Sequence, residues 1–268
     1  MSMIDALAAG SGHRWSDGGV HVSRVRRGRP LSVRRDGRGW AVQHRLAPKD
    51  LRDSLALRIA AEAGPCAVEE FERMLVGVVR TTVPGATRAW VEYYRNSMAD
   101  LESGVADFAP VHATAAELLV GDSLLDLGSC FGFFALRAAR SGMRVTATDL
   151  CAGTMTLLDT VAREIEIPLS TRVADATNTG LPDRYADTVS ALHLLEHVPP
   201  EAGAAVLDEA LRLARERVII AVPIEEEPDT RYGHVRTFTV DGLHDLVADR
   251  GLRCRSFEHH GAWLVVDL

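Results

Sequence analysis

The pattern of apolar and polar positions divides the chain into two parts. Before about residue 105, short alternating runs give way to segments in which apolar residues recur every three or four positions, as in amphipathic helices. From about residue 122, short apolar runs alternate with helical segments, which is typical of a parallel α/β sheet. We therefore predict an accessory region over residues 1–104 and an α/β domain over residues 105–268.

The accessory region is predicted to hold one hairpin followed by helices. Two alternating runs, Leu31–Arg35 and Gly39–Leu46, flank an Asp-Gly dipeptide that favours a tight turn. Helical patterning covers residues 50–63, 68–79 and 86–101, and a further helix over 111–119 leads into the second part. Four apolar residues of the first helix are expected on one buried face: Leu51, Leu55, Leu57 and Ile59.

The second part is predicted to be an α/β fold with a seven-stranded, Rossmann-like sheet. The strands are expected at 123–127, 144–148, 169–173, 188–193, 217–222, 253–257 and 263–267. Helices are expected at 131–141, 152–165, 201–214 and 240–250. Because only a few residues join the last two strands, we expect these two to form an antiparallel hairpin.

Composition and charge narrow the class of protein. Hydrophobic residues make up 47% and charged residues 25% of the chain, which excludes disordered and collagen-like classes. No run of eighteen apolar residues and no secretory signal is recognisable, so we expect a cytoplasmic protein with no membrane partner. The four cysteines show no metal-ligand spacing and are expected to be reduced.

The N-terminal segment is basic although the net charge is −7. The first fifty residues hold ten Lys or Arg against four Asp or Glu, and Arg24–Arg38 alone contains seven arginines. Such a segment can bind phosphates, and it can equally dock on acidic residues of the same chain. Since the remaining chain is acidic and no aromatics interleave with the arginines, we expect no nucleic-acid partner.

The turn after the first strand of the α/β sheet carries the strongest binding signal. In Asp126–Gly132, glycines stand where a strand gives way to a helix, so the backbone can approach a ligand closely and free helix amides can face it. Asp149 ends the next strand, where a carboxylate can accept hydrogen bonds from ribose hydroxyls. The Gly-x-Gly-x-x-Gly spacing of dinucleotide-binding enzymes is absent.

Two further markers follow the third and fourth strands, namely Asp175-Ala176 and Leu194–Pro199. Together with the turn, these spacings resemble the type-11, class I family of S-adenosylmethionine-dependent methyltransferases over roughly residues 105–268. The resemblance implies the class I sheet and S-adenosylmethionine as cofactor. It also implies a set of cofactor-binding residues: Asp126, Gly128, Ser129, Gly132, Asp149, Asp175 and Ala176. To this set we add Leu150, which follows Asp149, and His193, which ends the fourth predicted strand. The chain departs from the family at Cys130, which replaces a glycine, and at Ala214–Arg217, which replaces a Pro-Gly-Gly turn.

Methyl transfer to an alcohol requires alignment and the loss of a proton, which a histidine or carboxylate can accept. Candidate groups follow the fourth and fifth strands. We predict His234 and His197 as catalytic, with a packing role for His197 and a loop role for His234 as the alternatives; Tyr232 and Arg236 are predicted to bind substrate. His234 lies in a long polar loop, and loops of such length are often functional.

Two further sets of residues are candidates for the acceptor side, one as metal ligands and one as contacts of the acceptor. His193, Glu196 and Glu225 could bind a divalent metal, but no second carboxylate lies at clear ligand spacing, and we assign no metal. Arg95 and Asn96 precede the α/β domain and are predicted to contact the acceptor. Three aromatics of the same helix are expected to belong to the core instead: Trp90, Tyr93 and Tyr94.

Several longer phrases look like the mycofactocin oligosaccharide methyltransferase family. They include Val33–Gly39, Tyr94–Asn96, Phe108–His112, Leu127–Phe134, Gly153–Met155, Gly233–Phe238 and His260–Val265. This resemblance implies O-methylation of a glucose hydroxyl, the 2-O, on the oligosaccharide of mycofactocin. The alternatives are an O- or N-methyltransferase of another small molecule, and a non-catalytic protein that binds S-adenosylmethionine or nucleic acid.

Overall fold

A computed structural model of the protein describes residues 5–8, 12–37, 39–229 and 232–268. The chain forms two compact units, residues 1–109 and residues 110–268. Arg38 of the basic segment and residues 230–231 of the long polar loop lie outside the described residues.

The first unit contains a four-stranded sheet with the order β1-β2-β4-β3. Its strands are β1 (Arg14–Asp17), β2 (Val20–Arg24), β3 (Leu31–Asp36) and β4 (Gly39–His44). The predicted hairpin is confirmed, because β3 and β4 pair antiparallel from Leu31↔His44 to Asp36↔Gly39. The sequence analysis missed β1 and β2; their four and five residues are too few for a clear alternating pattern.

Three helices complete the first unit: α1 (Ser54–Ala63), α2 (Val68–Thr82) and α3 (Ala86–Glu102). The prediction of a helix from residue 50 was wrong, because a separate 3₁₀ turn, Pro48–Asp50, precedes α1. The expected burial of Leu57 was also wrong: it is 44% exposed. Two positions after buried Leu55, it points about 200° around the helix. Three aromatics of α3 are buried, as predicted: Trp90, Tyr93 and Tyr94.

The second unit is built on the predicted seven-stranded sheet. The strands are β5 (Ser123–Leu127), β6 (Arg144–Asp149), β7 (Ser170–Val173), β8 (Ala186–Leu192), β9 (Ala214–Val222), β10 (Arg253–Glu258) and β11 (Ala262–Asp267). They are arranged in the order β10-β11-β9-β8-β5-β6-β7. Only β11 runs antiparallel to its neighbours, so the predicted final hairpin is confirmed. The helices are α4 (Ala109–Leu118), α5 (Phe133–Arg140), α6 (Ala152–Glu164), α7 (Pro200–Leu213) and α8 (Val240–Asp245).

Several predicted boundaries in this unit were wrong for local reasons. The strand expected to reach His193 ends one residue earlier, because His193 has a φ of 53° that an extended strand does not admit. The helix expected from Phe131 begins at Phe133, after the left-handed Gly132. The helix expected over 240–250 ends at Asp245, and a 3₁₀ turn follows at Ala248–Arg250.

The central strands of the sheet are buried on both faces, and this arrangement positions the binding edge. Leu125, Val189 and Ile220, from three neighbouring strands, are fully buried. Ligands of open α/β sheets bind beyond the carboxyl ends of the parallel strands, which here are the ends of β5 to β9. Within the described part of the chain, no helix has the length and apolar character required to cross a membrane.

Candidate functional site

The turn after β5 has a backbone that glycine normally supplies. Gly128, Cys130 and Gly132 have φ values of 67°, 49° and 72°, all in the left-handed region. For Cys130 this conformation costs about 1–2 kcal/mol, a penalty that glycine avoids. Ser129 secures the turn: its Oγ donates to the carbonyl of Asp126 at 2.9 Å and accepts from the amide of Thr148 at 3.1 Å. The turn is therefore anchored to both β5 and β6.

The two glycines make room for the protein's own leucines. A Cβ at Gly128 would lie 2.7 Å from Cδ1 of Leu194, and one at Gly132 would lie 2.3 Å from Cδ2 of Leu158. The sequence-based reason for these glycines, close approach to a ligand, therefore misses this requirement. On the side of the turn that packs against these leucines there is no room for a Cβ, and the positive φ of both residues also favours glycine.

Asp149 joins the loops that follow β5 and β6. Its Oδ2 accepts the amide of Cys130 at 3.0 Å, and its Oδ1 accepts the amide of Cys151 at 2.8 Å. Each carboxylate oxygen has a second lone pair, so the half-buried side chain can still accept hydrogen bonds from two hydroxyls. This geometry fits the vicinal diol of a ribose.

Asp126 lies beneath the turn. Its side chain is buried and its Oδ1 accepts a hydrogen bond from Ser190 Oγ at 2.6 Å, which connects β5 to β8. Burial raises the pKa of Asp126 to about 6, although the hydrogen bonds from Ser190 and Ser129 oppose this shift. The carboxyl group thus supports the turn from inside the sheet.

The loop after β7 lies beside Asp149. The amide of Ala174 donates to the carbonyl of Asp149 at 3.0 Å. Asp175 is exposed, and its Oδ1 accepts from the amide and the hydroxyl of Thr177, which lowers the pKa of Asp175. Ala176 packs against the core, and Leu150 is 71% exposed. The structure therefore brings these predicted cofactor residues to one stretch of the sheet edge.

The loops after β8 and β9 bring a second group of polar side chains together. His197 and His234 lie with their ring centroids 4.9 Å apart, and Nδ1 of His193 is 3.1 Å from Oε1 of Glu196. The amide of Val235 donates to the carbonyl of Glu196 at 2.8 Å, which fastens the long loop to the turn after β8. We call Glu196, His197 and His234 the acceptor-side cluster.

His234 is held by a carboxylate that the sequence analysis had not assigned to it. Its Nδ1 is 2.8 Å from Oε2 and 3.0 Å from Oε1 of Glu225, and the residue is only 9% exposed. With Nδ1 donating to the carboxylate, Nε2 of the neutral ring is an acceptor. No sequence signal links these two residues, which are nine positions apart in an irregular loop.

The two predicted substrate residues of the long loop, Arg236 and Tyr232, differ in their contacts and in how much of each is exposed. Arg236 donates from Nε to the carbonyl of Leu195 at 2.9 Å, its guanidinium lies 4.5 Å from the ring centroid of Phe238, and burial lowers its pKa. Tyr232 is half exposed, with its ring centroid 6.0 Å from that of His234. Tyr232 is therefore more exposed than Arg236.

Arg95 and Asn96 belong to the first unit. The amide nitrogen of Asn96 donates to the carbonyls of Pro48 at 3.0 Å and Leu51 at 2.9 Å, so it stabilises the segment before α1. Arg95 is exposed on α3. Their contact with an acceptor stays a prediction.

Comparison with known proteins places this geometry in context. Residues 125–222 match the model of the type-11 methyltransferase domain. The PH0226 protein from Pyrococcus horikoshii OT3 is similar in structure, with a TM-score of 0.53, 18% identity, and coverage of 66% of this chain and 98% of that chain. The [4+2]-cyclase SpnF has a TM-score of 0.50 and 21% identity, with coverage of 57% of this chain and 60% of that chain. No curated protein sequence matches the chain.

The structural similarity and the sequence match support different conclusions. The structural neighbours share the fold, and because one of them is described as a cyclase, the fold by itself does not specify the reaction. The sequence match over 125–222 is to a methyltransferase domain, and the strand order agrees with the class I fold. The cofactor follows from that domain. Residues 125–222 are therefore a class I methyltransferase domain, in an enzyme that uses S-adenosylmethionine as its methyl donor.

Proposed function

We propose that the protein is an O-methyltransferase of a sugar hydroxyl, the 2-hydroxyl of a glucose in the oligosaccharide of mycofactocin. The observation that carries the O-methyl part is the pair formed by His234 and Glu225 at 2.8 Å, beyond the ends of β8 and β9. An imidazole oriented by a carboxylate is the usual arrangement of a general base. Amines that are already neutral need no such group.

In the proposed reaction, S-adenosylmethionine supplies the methyl group from its sulfonium sulfur. An acceptor hydroxyl lies within hydrogen-bond distance of Nε2 of His234, which accepts its proton as the new C–O bond forms. Glu225 holds the Nδ1 proton and stabilises the imidazolium that results. His197 borders the same space, and half-exposed Tyr232 offers an aromatic face and a hydroxyl to a sugar ring.

The proposal also assigns the donor side. Asp149 accepts the two ribose hydroxyls, because one lone pair of each oxygen is used by a backbone amide and another remains. Asp175 and Ala176 flank the adenine, and Leu150 covers it from the exposed side. Gly128, Ser129, Gly132 and His193 border the methionine portion, with Asp126 supporting the turn from below.

The sugar substrate is supported by phrases along the whole chain that resemble the mycofactocin oligosaccharide methyltransferases. One of them, Gly233–Phe238, contains His234 and Arg236. Another, Leu127–Phe134, contains Cys130, whose left-handed φ of 49° makes it an unusual choice at this position. The first of these segments lies in the acceptor-side loop after β9, where substrate choice is made, and the second forms the donor-side turn after β5.

The test is a reaction with isotopically labelled S-adenosylmethionine and glycosylated mycofactocin, compared with a panel of other glucans, phenols and amines. We expect label and the mass of one CH₂ group to appear on a glucose residue of the mycofactocin glycan. Fragmentation of a permethylated product should place the natural methyl group at O2. Transfer only to phenols or amines, with none to glycans, would contradict the proposal.

A further inference from the structure

We propose that the acceptor-side cluster is a binding site for a divalent metal ion of the zinc class, such as Zn²⁺ or Co²⁺. The cluster consists of Glu196, His197 and His234, whose candidate ligand atoms all lie within 4.8 Å of one another. The residues come from two loops, which the hydrogen bond from the amide of Val235 to the carbonyl of Glu196 holds together. This proposal does not depend on the proposed function, but a metal ion on Nε2 of His234 occupies the atom that the proposed function uses as the base, so the two roles belong to different states of the site.

Glu196 provides the first independent reason. Its side chain is 0% exposed, and neither carboxylate oxygen has a hydrogen-bond partner among the residues that the structure describes. His193 Nδ1 is 3.1 Å from Oε1, but the pair lacks hydrogen-bond geometry. A carboxylate buried without hydrogen bonds is costly, and a metal ion bound to its oxygens removes that cost.

The second reason is the way His234 is held. Its Nδ1 faces Glu225 at 2.8 Å, so Nε2 is the nitrogen that remains for a ligand. Histidines that bind metals commonly donate their other ring N–H to a carboxylate, which fixes the tautomer and the ring orientation. Glu225 therefore acts as an outer partner of the site, whereas the sequence analysis had considered it as a direct ligand.

The remaining distance can be closed by His197. Bonds of about 2.0–2.1 Å to a tetrahedral ion place ligand atoms about 3.3 Å apart, so atoms now within 4.8 Å must approach by up to about 1.5 Å. His197 is exposed and can rotate at little cost, whereas Glu196 and His234 are buried. Two fixed ligands and one mobile ligand suffice to capture an ion.

The donor set selects the kind of metal. Two imidazole nitrogens and one carboxylate oxygen suit zinc-class ions, whereas Mg²⁺ prefers oxygen ligands and retains its waters. Three protein ligands leave a coordination position open to water or to an acceptor hydroxyl. Because Nε2 of His234 cannot bind a metal and accept a proton at the same time, binding rather than activity is the informative measurement.

The experiment titrates the full-length, chelator-treated protein with Co²⁺, followed by visible absorption, and with Zn²⁺, followed by calorimetry. We expect one equivalent to bind the wild type with the absorption bands of nitrogen- and oxygen-coordinated Co²⁺. Glu196→Gln keeps the size of the side chain and should weaken binding at least about 100-fold, because it removes the only charged ligand. Glu225→Gln should weaken binding about 10- to 100-fold through the outer partner.

The matched control is the double variant His259→Ala/His260→Ala, which removes two other histidines with ring centroids 4.7 Å apart. We expect it to bind the metal as the wild type does. Circular dichroism and S-adenosylhomocysteine binding verify that each variant is folded. The proposal is overturned if folded wild type shows no saturable binding, if Glu196→Gln binds with unchanged affinity, or if only the control loses the metal.

Discussion

The two sides of the binding edge are built in opposite ways. On the donor side, after β5 and β6, the polar groups are hydrogen-bonded within the protein, since Asp149 accepts the backbone amides of Cys130 and Cys151. On the acceptor side, after β8 and β9, polar side chains are concentrated: a buried Glu196 whose carboxylate has no hydrogen-bond partner among the described residues, and a His234 held by Glu225. The carboxylate of the donor side thus has hydrogen bonds within the protein, whereas the buried carboxylate of the acceptor side makes none with the described residues and is available to a ligand.

This difference matches what the two sides must do. A donor that is the same in every related enzyme can be recognised by backbone groups, which any sequence with the right turn supplies. An acceptor must be recognised and activated by particular side chains, and chemistry of this kind leaves polar groups unsatisfied until the ligand arrives. Substitutions should therefore separate donor binding from turnover.

The largest expected effect concerns turnover alone. His234→Gln keeps a group that can donate to Glu225 but has no acceptor of comparable basicity, so we expect kcat to fall about 1000-fold, in the range given by loss of a general base. Donor affinity should stay within about twofold, because His234 is not among the donor-side residues. Steady-state kinetics and calorimetry with S-adenosylhomocysteine measure the two. The matched control is His244→Gln, an exposed histidine on α8.

A substitution on the donor side should instead weaken donor binding. Asp149→Ala removes the proposed ribose contacts and leaves the amides of Cys130 and Cys151 without their acceptor, so we expect affinity for S-adenosylhomocysteine to fall about 100-fold. Metal binding by the acceptor-side cluster should be unchanged. Asp122→Asn, an exposed carboxylate paired with Arg144, is the control. Unchanged affinity after Asp149→Ala would remove the distinction between the two sides.

A third expectation concerns pH and the support beneath the donor turn. Burial raises the pKa of folded Asp126 to about 6, above the unfolded value of about 3.9. The folded protein therefore binds this proton more tightly, and the stability from that proton is lost as the pH rises from about 4 through 6. Asp126→Asn should abolish that loss and raise stability at pH 7.5 by about 2 kcal/mol relative to its effect at pH 4.5. Urea unfolding at both pH values tests it, and an unchanged pH dependence would contradict it.

The smallest effect is expected at Cys130. Its φ of 49° is one that glycine adopts freely, so Cys130→Gly relieves about 1–2 kcal/mol in the folded state while it increases the entropy of the unfolded chain by about 0.5–1 kcal/mol. We expect a net stabilisation of about 0.5 kcal/mol with donor affinity retained. Denaturant midpoints and calorimetry test this. A weaker donor complex would show that the side chain of Cys130 itself contacts the cofactor.

What could be predicted from the sequence follows the same division. The strand ends that carry Asp126, Asp149 and Asp175 were predicted from spacing, because regular strands convert sequence distance into position. The partnership of His234 with Glu225 was not, since an irregular loop gives no periodicity from which to infer contacts. The burial of Glu196 was also missed, because a charged residue between apolar neighbours gives no sign that its carboxylate points inward.

Two boundaries were wrong at residues with a left-handed backbone. The left-handed φ of His193 ended a strand early, and that of Gly132 delayed a helix. In the first unit, β1 and β2 were missed although Val20 and Val22 are buried, because two apolar residues define no period. Short elements depend on partners that are distant along the chain, and here β2 pairs with β4.

The position of two cysteines gives the molecule a natural chemical reporter. All four cysteines are outside disulfides, and the exposed pair, Cys130 and Cys151, are the residues whose amides donate to Asp149. A bound donor covers that part of the edge, so it should slow alkylation of these two thiols. Cys66 and Cys254 lie elsewhere and are only partly exposed, so they serve as internal references. Mass spectrometry of alkylated peptides could thus read the occupancy of the donor site without any added label.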